Sequence, residues 1–397
     1  FMMNFQAPVL LALHRIGPYH HARFQAAAAQ LDSPLVVLET RPQSCEYPWQ
    51  FSADQQAYTS LKLSVDVDPE QDLPPQKLRD ELNLILSRCR PKAVVTVGWA
   101  DRAYLQLLQL CQKMGIPLVV ISDSRHCDQP RSVIKELLKR QLLRGYSSAV
   151  VAGKQSRDYL IRLGFSPHAI YQPWDVVDND LFSRLSDSFR SETKDNQPFL
   201  CVGRLIPEKN HALLLEAFSL YQQQGGLRSL QLVGSGPLES ELMNQCQNLP
   251  DPTKVSLIPF EQLEDLAQRY ASAWALILPS SKDTWGLVVN EALAASLPVI
   301  VSSACGCVDD LIQDGITGWS FSANSSQELL KCLWNVEHQS MEQRHKLVLN
   351  ARKRLEAYQP ASFAVGLASA CDHATKNFRS SIKSRVFSSL ICKFGWV

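Results

Sequence analysis

Phe199-Leu200-Cys201-Val202-Gly203-Arg204-Leu205-Ile206-Pro207-Glu208-Lys209-Asn210 is the stretch on which the fold turns. Four apolar residues end at a glycine, two cations follow five positions apart, and a helical pattern, Ala212–Gln223, begins just beyond. A short buried strand that stops at a glycine and feeds a helix is the unit from which parallel sheets are wound. Outward in both directions the rhythm repeats. Strands are expected at Val9–Leu13, Leu35–Leu38, Ala93–Val97, Leu118–Ile121 and Ala149–Ala152, with helices at Ala22–Leu31, Pro75–Ser87, Asp101–Met114, Arg131–Leu143 and Lys154–Leu163. After Phe199–Val202 come Ser229–Val233, Val255–Leu257, Ala275–Leu278 and Val299–Ser302, with a further helix at Leu263–Ser272. The expected fold is α/β, two Rossmann-like domains facing each other across a cleft.

The length of 397 residues agrees, because single cores stop growing at roughly 250–300 residues. The polar stretch Ser186–Gln197 places the boundary, giving domains 1–190 and 191–360 and a helical tail 361–397. That tail carries Lys376, Arg379, Lys383, Arg385 and Lys393 among Phe378, Ile382, Val386, Phe387, Leu390, Ile391, Phe394 and Trp396. We expect a helix crossing back onto the N-domain, with peripheral membrane contact through the tail as the alternative.

A composition of 45% hydrophobic and 20% charged residues is that of an ordinary globular chain. Forty basic against 39 acidic residues give a net charge of +1, which speaks against a nucleic-acid partner. Eleven Cys without C-x-x-C or Cys/His ligand spacing argue against a zinc module, and the odd count against a closed disulfide framework. The apolar run Pro8–Leu13 is too short for a signal-peptide core, and no run reaches the ~18 apolar residues of a membrane span. A cytoplasmic location, with membrane association confined to the periphery, is the expectation.

Arg204 offers a planar fork and Lys209 a compact charge, a pair suited to a diphosphate. Downstream, Leu278-Pro-Ser-Ser-Lys-Asp283-Thr-Trp285-Gly286-Leu287-Val-Val-Asn-Glu291 places two carboxylates eight positions apart around a glycine turn between strand and helix. They suit paired hydroxyls, while N–H groups at the helix start suit phosphate.

Together the two blocks resemble the retaining glycosyltransferases of the GT-B fold, family 4 (glycosyl transferases group 1), with their G-R-x-x-x-x-K loop and E-x7-E element. The likeness runs from Pro198 to Phe321 and includes Leu232-Val-Gly234-Ser-Gly236 and Asp314-Gly-Ile-Thr-Gly318. It implies that Arg204 and Lys209 hold the donor diphosphate, that Asp283 meets the donor-sugar hydroxyls, and that Glu291 bonds the ribose. It implies too that Gly203, Gly234 and the backbone of Trp285, Gly286 and Leu287 line the donor site, with Trp285 shaping its wall. Asp283 departs from the family Glu by one methylene.

The first half resembles the family less closely, as a domain that varies with the acceptor would. His14-Arg15-Ile-Gly17-Pro-Tyr-His20-His21-Ala-Arg23 stands where relatives carry a Gly-containing loop touching donor and acceptor. Asp123 aligns where relatives have a sugar-contacting His, His126 follows three residues on, and Trp99 is either an acceptor platform or core. Asp178-Asn-Asp180 matches a metal motif of the other major glycosyltransferase fold; we read it as coincidental and expect no metal and no cofactor. The resulting expectation is retaining transfer of a hexose-type sugar from a UDP- or GDP-sugar to a hydroxyl of a small-molecule, glycan or lipid-linked acceptor. The alternatives are an inactive nucleotide-sugar-binding scaffold and a GT-B epimerase or phosphorylase.

Overall fold

The computed structural model describes residues 6–42, 56–64, 74–189 and 197–394. The chain divides into two units, one drawn from Phe1–Val176 and Pro360–Val397, the other from Val177–Gln359.

Unit 1 runs β1 (Val9–Leu13), α1 (Pro18–Gln30), β2 (Leu35–Glu39), β3 (Thr59–Lys62), α2 (Pro75–Cys89), β4 (Ala93–Val97), α3 (Arg102–Met114), β5 (Leu118–Ser122), α4 (Val133–Leu143), β6 (Ser148–Val151), α5 (Lys154–Arg162) and β7 (Ile170–Tyr171). All neighbours pair in parallel, in the order β3-β2-β1-β4-β5-β6-β7. The strand order reverses between β1 and β4, so their C-terminal ends open on the crevice where doubly wound sheets take ligands.

Unit 2 runs α6 (Asn179–Phe189), β8 (Phe199–Val202), α7 (His211–Gln223), β9 (Leu230–Val233), α8 (Glu239–Gln247), β10 (Val255–Ile258), α9 (Leu263–Ser272), β11 (Ala275–Leu278), α10 (Leu287–Ala294), β12 (Val299–Ser302), α11 (Val308–Leu311), β13 (Trp319–Phe321), α12 (Ser326–Glu337) and α13 (Met341–Leu355). Its sheet is also parallel, ordered β10-β9-β8-β11-β12-β13, with the reversal between β8 and β11. The chain then returns to unit 1 as α14 (Pro360–Asn377) and α15 (Ile382–Phe394).

Every strand expected from sequence forms within a residue of its expected limits, because all but the partly exposed β10 are largely buried apolar runs. β3, β7 and β13 were not expected. Thr59–Lys62 is partly exposed and polar, Ile170–Tyr171 is two residues long, and Trp319–Phe321 is three. α1 starts at Pro18 rather than at Ala22, since a first-turn proline forfeits no bond there.

The unit boundary falls at Val176, earlier than the polar stretch Ser186–Gln197, of which 190–196 lie outside the described residues. α6 is the reason. Ser186 Oγ donates to Ala267 O at 3.3 Å, Phe182 packs edge-on to Tyr270 at 6.1 Å, and Asn179 Nδ2 donates to Tyr358 O at 3.1 Å, all within unit 2.

α14 lies on α1 and β6. Gly366 has no room for a side chain, since a Cβ would stand 2.8 Å from Gln172 O, and Ser148 Oγ donates to Ala370 O at 2.6 Å. α15 packs on α3 and α4 and contributes Ile391 to the core of unit 1. Trp396 of the expected tail lies outside the described residues.

Candidate functional site

In unit 2 the loops after β8, β9, β11 and β12 converge at the C-terminal edge of the sheet. Backbone bonds tie the first two together: Gly203 N donates to Val233 O at 3.0 Å, Leu205 N to Ser235 O at 3.0 Å, and Leu238 N to Leu205 O at 3.0 Å. Gly234 adopts φ +151°, and a Cβ there would stand 1.9 Å from Gly203 O. No other residue permits that approach. The 3₁₀ turn Pro207–Lys209 then meets the loop after β11, where Ser281 N donates to Glu208 O at 2.9 Å.

That meeting joins the two sequence blocks. Lys209 Nζ stands 2.6 Å from Asp283 Oδ2, and both side chains are largely buried. Burial works against the Lys209 charge, but the Asp283 carboxylate outweighs it and holds the amine above its ordinary pKa. Asp283 is fixed from the other side as well: its carbonyl accepts from Gly306 N at 3.0 Å in a bridge to the loop after β12. Asn210, left-handed at φ 55°, donates from Nδ2 to Pro279 O at 3.1 Å and to Ala323 O at 3.0 Å. Its side chain thus holds the loops after β8, β11 and β13 in register, a role that a surface-type residue in a motif gives no hint of. Next to it His211 is buried, and burial with the nearby Lys209 charge lowers its pKa to about 4. The exposed Arg204 lies on the same loop as Lys209.

Gly286, at φ +101°, opens α10, so the first N–H groups of that helix, from Leu287 on, stand at the edge of the same loop cluster. Trp285 differs from expectation. It is buried, donates from Nε1 to Asn290 Oδ1 at 2.8 Å and stacks on Tyr358 at 5.5 Å, so it belongs to the core beneath the site and not to its wall. Glu291 is 1% exposed and its Oε2 accepts from Tyr270 O–H at 2.6 Å. A buried carboxylate needs such a donor, and Tyr270, sitting on α9, is a partner that sequence spacing does not reveal.

In unit 1 a second cluster gathers at the ends of β1, β4 and β5. Gly17 N donates to His20 Nδ1 at 3.2 Å, and the His20 ring packs near Phe24 at 6.0 Å and Trp174 at 5.9 Å. Burial, with the Arg23 charge adding to it, lowers the His20 pKa to about 3. Arg23 is itself buried: Nε donates to Val176 O at 2.9 Å, Nη2 lies 3.6 Å from Asp175 Oδ1, and the guanidinium covers the Trp174 ring at 4.2 Å. Burial lowers its pKa to about 10 against the opposing pull of Asp175, Tyr19 and Asp123, which puts Asp123 within the field of this cluster. His21 Nδ1 lies 2.9 Å from Tyr58 Oη, and burial lowers its pKa. His14 Nε2 and Arg41 Nη2 both reach Asp101 Oδ2, at 3.2 and 2.8 Å.

Two residues of the sequence reading stand apart from this cluster. Trp99 is buried in the core of unit 1. His126 is exposed on a 3₁₀ turn, its ring 6.0 Å from Tyr159. Asp178 Oδ1 accepts from Leu181 N at 2.9 Å and so caps α6. Among the described residues no three His, Cys, Asp or Glu side chains group as a metal site, and no helix is long and apolar enough to cross a membrane.

Residues 184–354 match the family described as glycosyl transferases group 1. A 162-residue segment is 30% identical to an uncharacterized glycosyltransferase of Methanocaldococcus jannaschii, covering 40% of each chain. A 160-residue segment is 30% identical to a sulfoquinovosyl transferase of Arabidopsis thaliana, covering 40% of this chain and 29% of that one. The matches thus span less than half of these relatives' lengths. Among solved structures, a glycosyltransferase from Rickettsia africae superposes with TM-score 0.74 at 14% identity over 94% of this chain and 99% of that one. Anabaena HepE in complex with UDP does so with TM-score 0.72 at 15% identity over 92% and 100%.

Proposed function

We propose, from the match of residues 184–354 to the glycosyl transferases group 1 family and from the GT-B fold of the chain, a retaining glycosyltransferase that moves a hexose-type sugar from a UDP- or GDP-sugar to an acceptor hydroxyl. The 2.6 Å pair between Lys209 and Asp283 carries the reading. It brings a phosphate-type cation and a hydroxyl-type carboxylate to one point at the switch of strand order, where a diphosphate and its attached sugar would lie side by side. Complexes of Anabaena HepE with UDP and with UDP-glucose support a nucleoside diphosphate sugar as the donor.

In this scheme the bond from the anomeric carbon to the diphosphate oxygen breaks, and the acceptor oxygen bonds to the same face of that carbon. The departing phosphate takes the acceptor's proton. Arg204 and Lys209 stabilise the charge that builds on the leaving oxygens, a contribution that grows toward the transition state. Asp283 orients sugar hydroxyls, and Glu291, held by Tyr270, receives the ribose. Lys209 and Asp283 neutralise each other until donor binds, which keeps two largely buried charges paired in the empty site. Being one methylene shorter than Glu, Asp283 stays within reach of Lys209 and selects the sugar by its remaining reach.

Thermal unfolding across a panel of nucleotide sugars tests this. One donor should raise the melting temperature of the wild type and leave an Arg204→Ala/Lys209→Ala variant unmoved, because only ligands of the folded state stabilise it. A shift of equal size in the variant would remove both cations from the donor site.

A further inference from the structure

The two helices α4 and α15, which pack against each other in unit 1, both leave aliphatic side chains in solvent. In α15 the residues turned to the protein are Ser384, Ser388 and Ile391, while Ile382, Val386 and Leu390 face solvent. Ser384 sits where the contact with the segment after α4 is tight. Ser384 Oγ donates to Leu142 O at 2.8 Å, and a Cβ on the facing Gly145 would stand 2.3 Å from it. In α4 the buried residues are Leu142, Leu143 and Lys139, whose Nζ reaches Glu136 Oε1 and Tyr159 Oη, both at 3.0 Å. Val133 and Ile134 are 76% and 71% exposed, and Leu137 follows one turn on. A surface helix ordinarily turns its aliphatic residues inward, and six outward ones on adjoining helices make a surface of the kind that marks an interaction site.

The charge around the patch identifies what covers it. Residues 376–394 hold five Lys and Arg and no Asp or Glu, in a chain whose total is only +1. Within them Lys383 and Arg385 are exposed beside Ile382 and Val386. On α4, Lys135 and Arg140 are exposed, and its one carboxylate, Glu136, is already engaged by Lys139. A second copy would bring these cations face to face with themselves, because a two-fold contact pairs a patch with its own image. A surface with aliphatic residues at its centre and cations around them matches the boundary of an anionic bilayer, where the side chains enter the acyl region and the cations meet phosphates. We propose that the α4–α15 face docks unit 1 on anionic lipid membranes.

Flotation of the full chain with vesicles of phosphatidylcholine, with and without phosphatidylglycerol, tests the proposal. The protein should float with the anionic vesicles, release as salt rises, and remain behind with the neutral ones. Lys383→Glu/Arg385→Glu should lower binding to anionic vesicles by more than about tenfold, each cation near a charged surface being worth roughly fivefold. Ile134→Ser/Val386→Ser/Leu390→Ser should abolish it, with melting temperatures held near wild type because these positions are exposed. Absence of binding to anionic vesicles at low salt would overturn the proposal, as would binding undiminished in both variants. Concentration-dependent dimers in sedimentation, lost in the serine variant, would overturn it too by giving the face to a second copy.

Discussion

The loop cluster of unit 2 and the loop cluster of unit 1 sit at equivalent places, where the strand order reverses, yet they are held by different means. In unit 2 the frame is main chain on main chain: the loops after β8 and β9 touch through Gly203 and Gly234, and the loop after β12 clasps Asp283 by its carbonyl. Side chains add to this frame, Asn210 by reaching the loops after β11 and β13 and Lys209 by pairing with Asp283, but the closest loop contact is glycine backbone on glycine backbone. In unit 1 the frame is side chain on side chain, with Arg23 laid over Trp174, His20 beside it, and Asp101 shared by His14 and Arg41. A backbone frame tolerates changes in most of its side chains. A side-chain frame can be rebuilt for another ligand by changing a few residues, which is how a region that meets varied acceptors would be organised.

The largest effect that sharpens this contrast is on Arg23. Arg23→Ala removes one partner of a buried ion pair, a donor to Val176 O and a cation over Trp174, and should cost about 3–5 kcal/mol in denaturant unfolding. Should it cost less than 1 kcal/mol, the side-chain frame of unit 1 is not structural. Gly234→Ala comes next. A methyl 1.9 Å from Gly203 O forces the two loops apart, at about 1–3 kcal/mol. Donor-induced stabilisation should vanish with it, while other side-chain changes in that loop leave both intact. Unchanged stability in Gly234→Ala would show that the backbone frame yields, and the contrast would fail.

The smallest effect is on pH. The folded state holds His20 neutral down to about pH 3, whereas the unfolded chain protonates it near the ordinary 6.5. Between those values the unfolded state binds the extra proton, so stability falls as pH drops through this window. His20→Gln should flatten that limb by up to about 1 kcal/mol per pH unit, read as the slope of unfolding free energy from pH 6 to 4. His211, lowered to about 4, leaves unit 2 with a similar limb of its own, which the variant would not touch.

The contrast also accounts for what could be read from the chain. Gly203, Arg204, Lys209, Asp283 and Gly286 lie in two short blocks, and a frame built from glycines and strand ends leaves its mark on local sequence. The bond from Tyr270 to Glu291, the reach of Asn210 across two loops, and the burial of Trp285 against Tyr358 join residues 21, 69 and 113, and 73 positions apart, and no local pattern records them. In unit 1 the same reason hid Asp175 and Trp174 as partners of Arg23, 152 and 151 positions away. Trp99 and His126 are marked by residue type and by their places after β4 and β5, and neither says whether a ring faces the core or the water.

The return of α14 and α15 to unit 1 also orders events on the ribosome. Unit 2 is one continuous segment, Val177–Gln359, and has all its parts before synthesis ends. Unit 1 is begun first and finished last: Arg23 and the β-sheet are made early, but the helix that covers α1 and β6 arrives only with residues 360–377. Until then that face is bare, so the nascent chain carries a half-built unit upstream of a complete one, and the apolar surface of α1 and β6 waits through the whole of unit 2 for its cover.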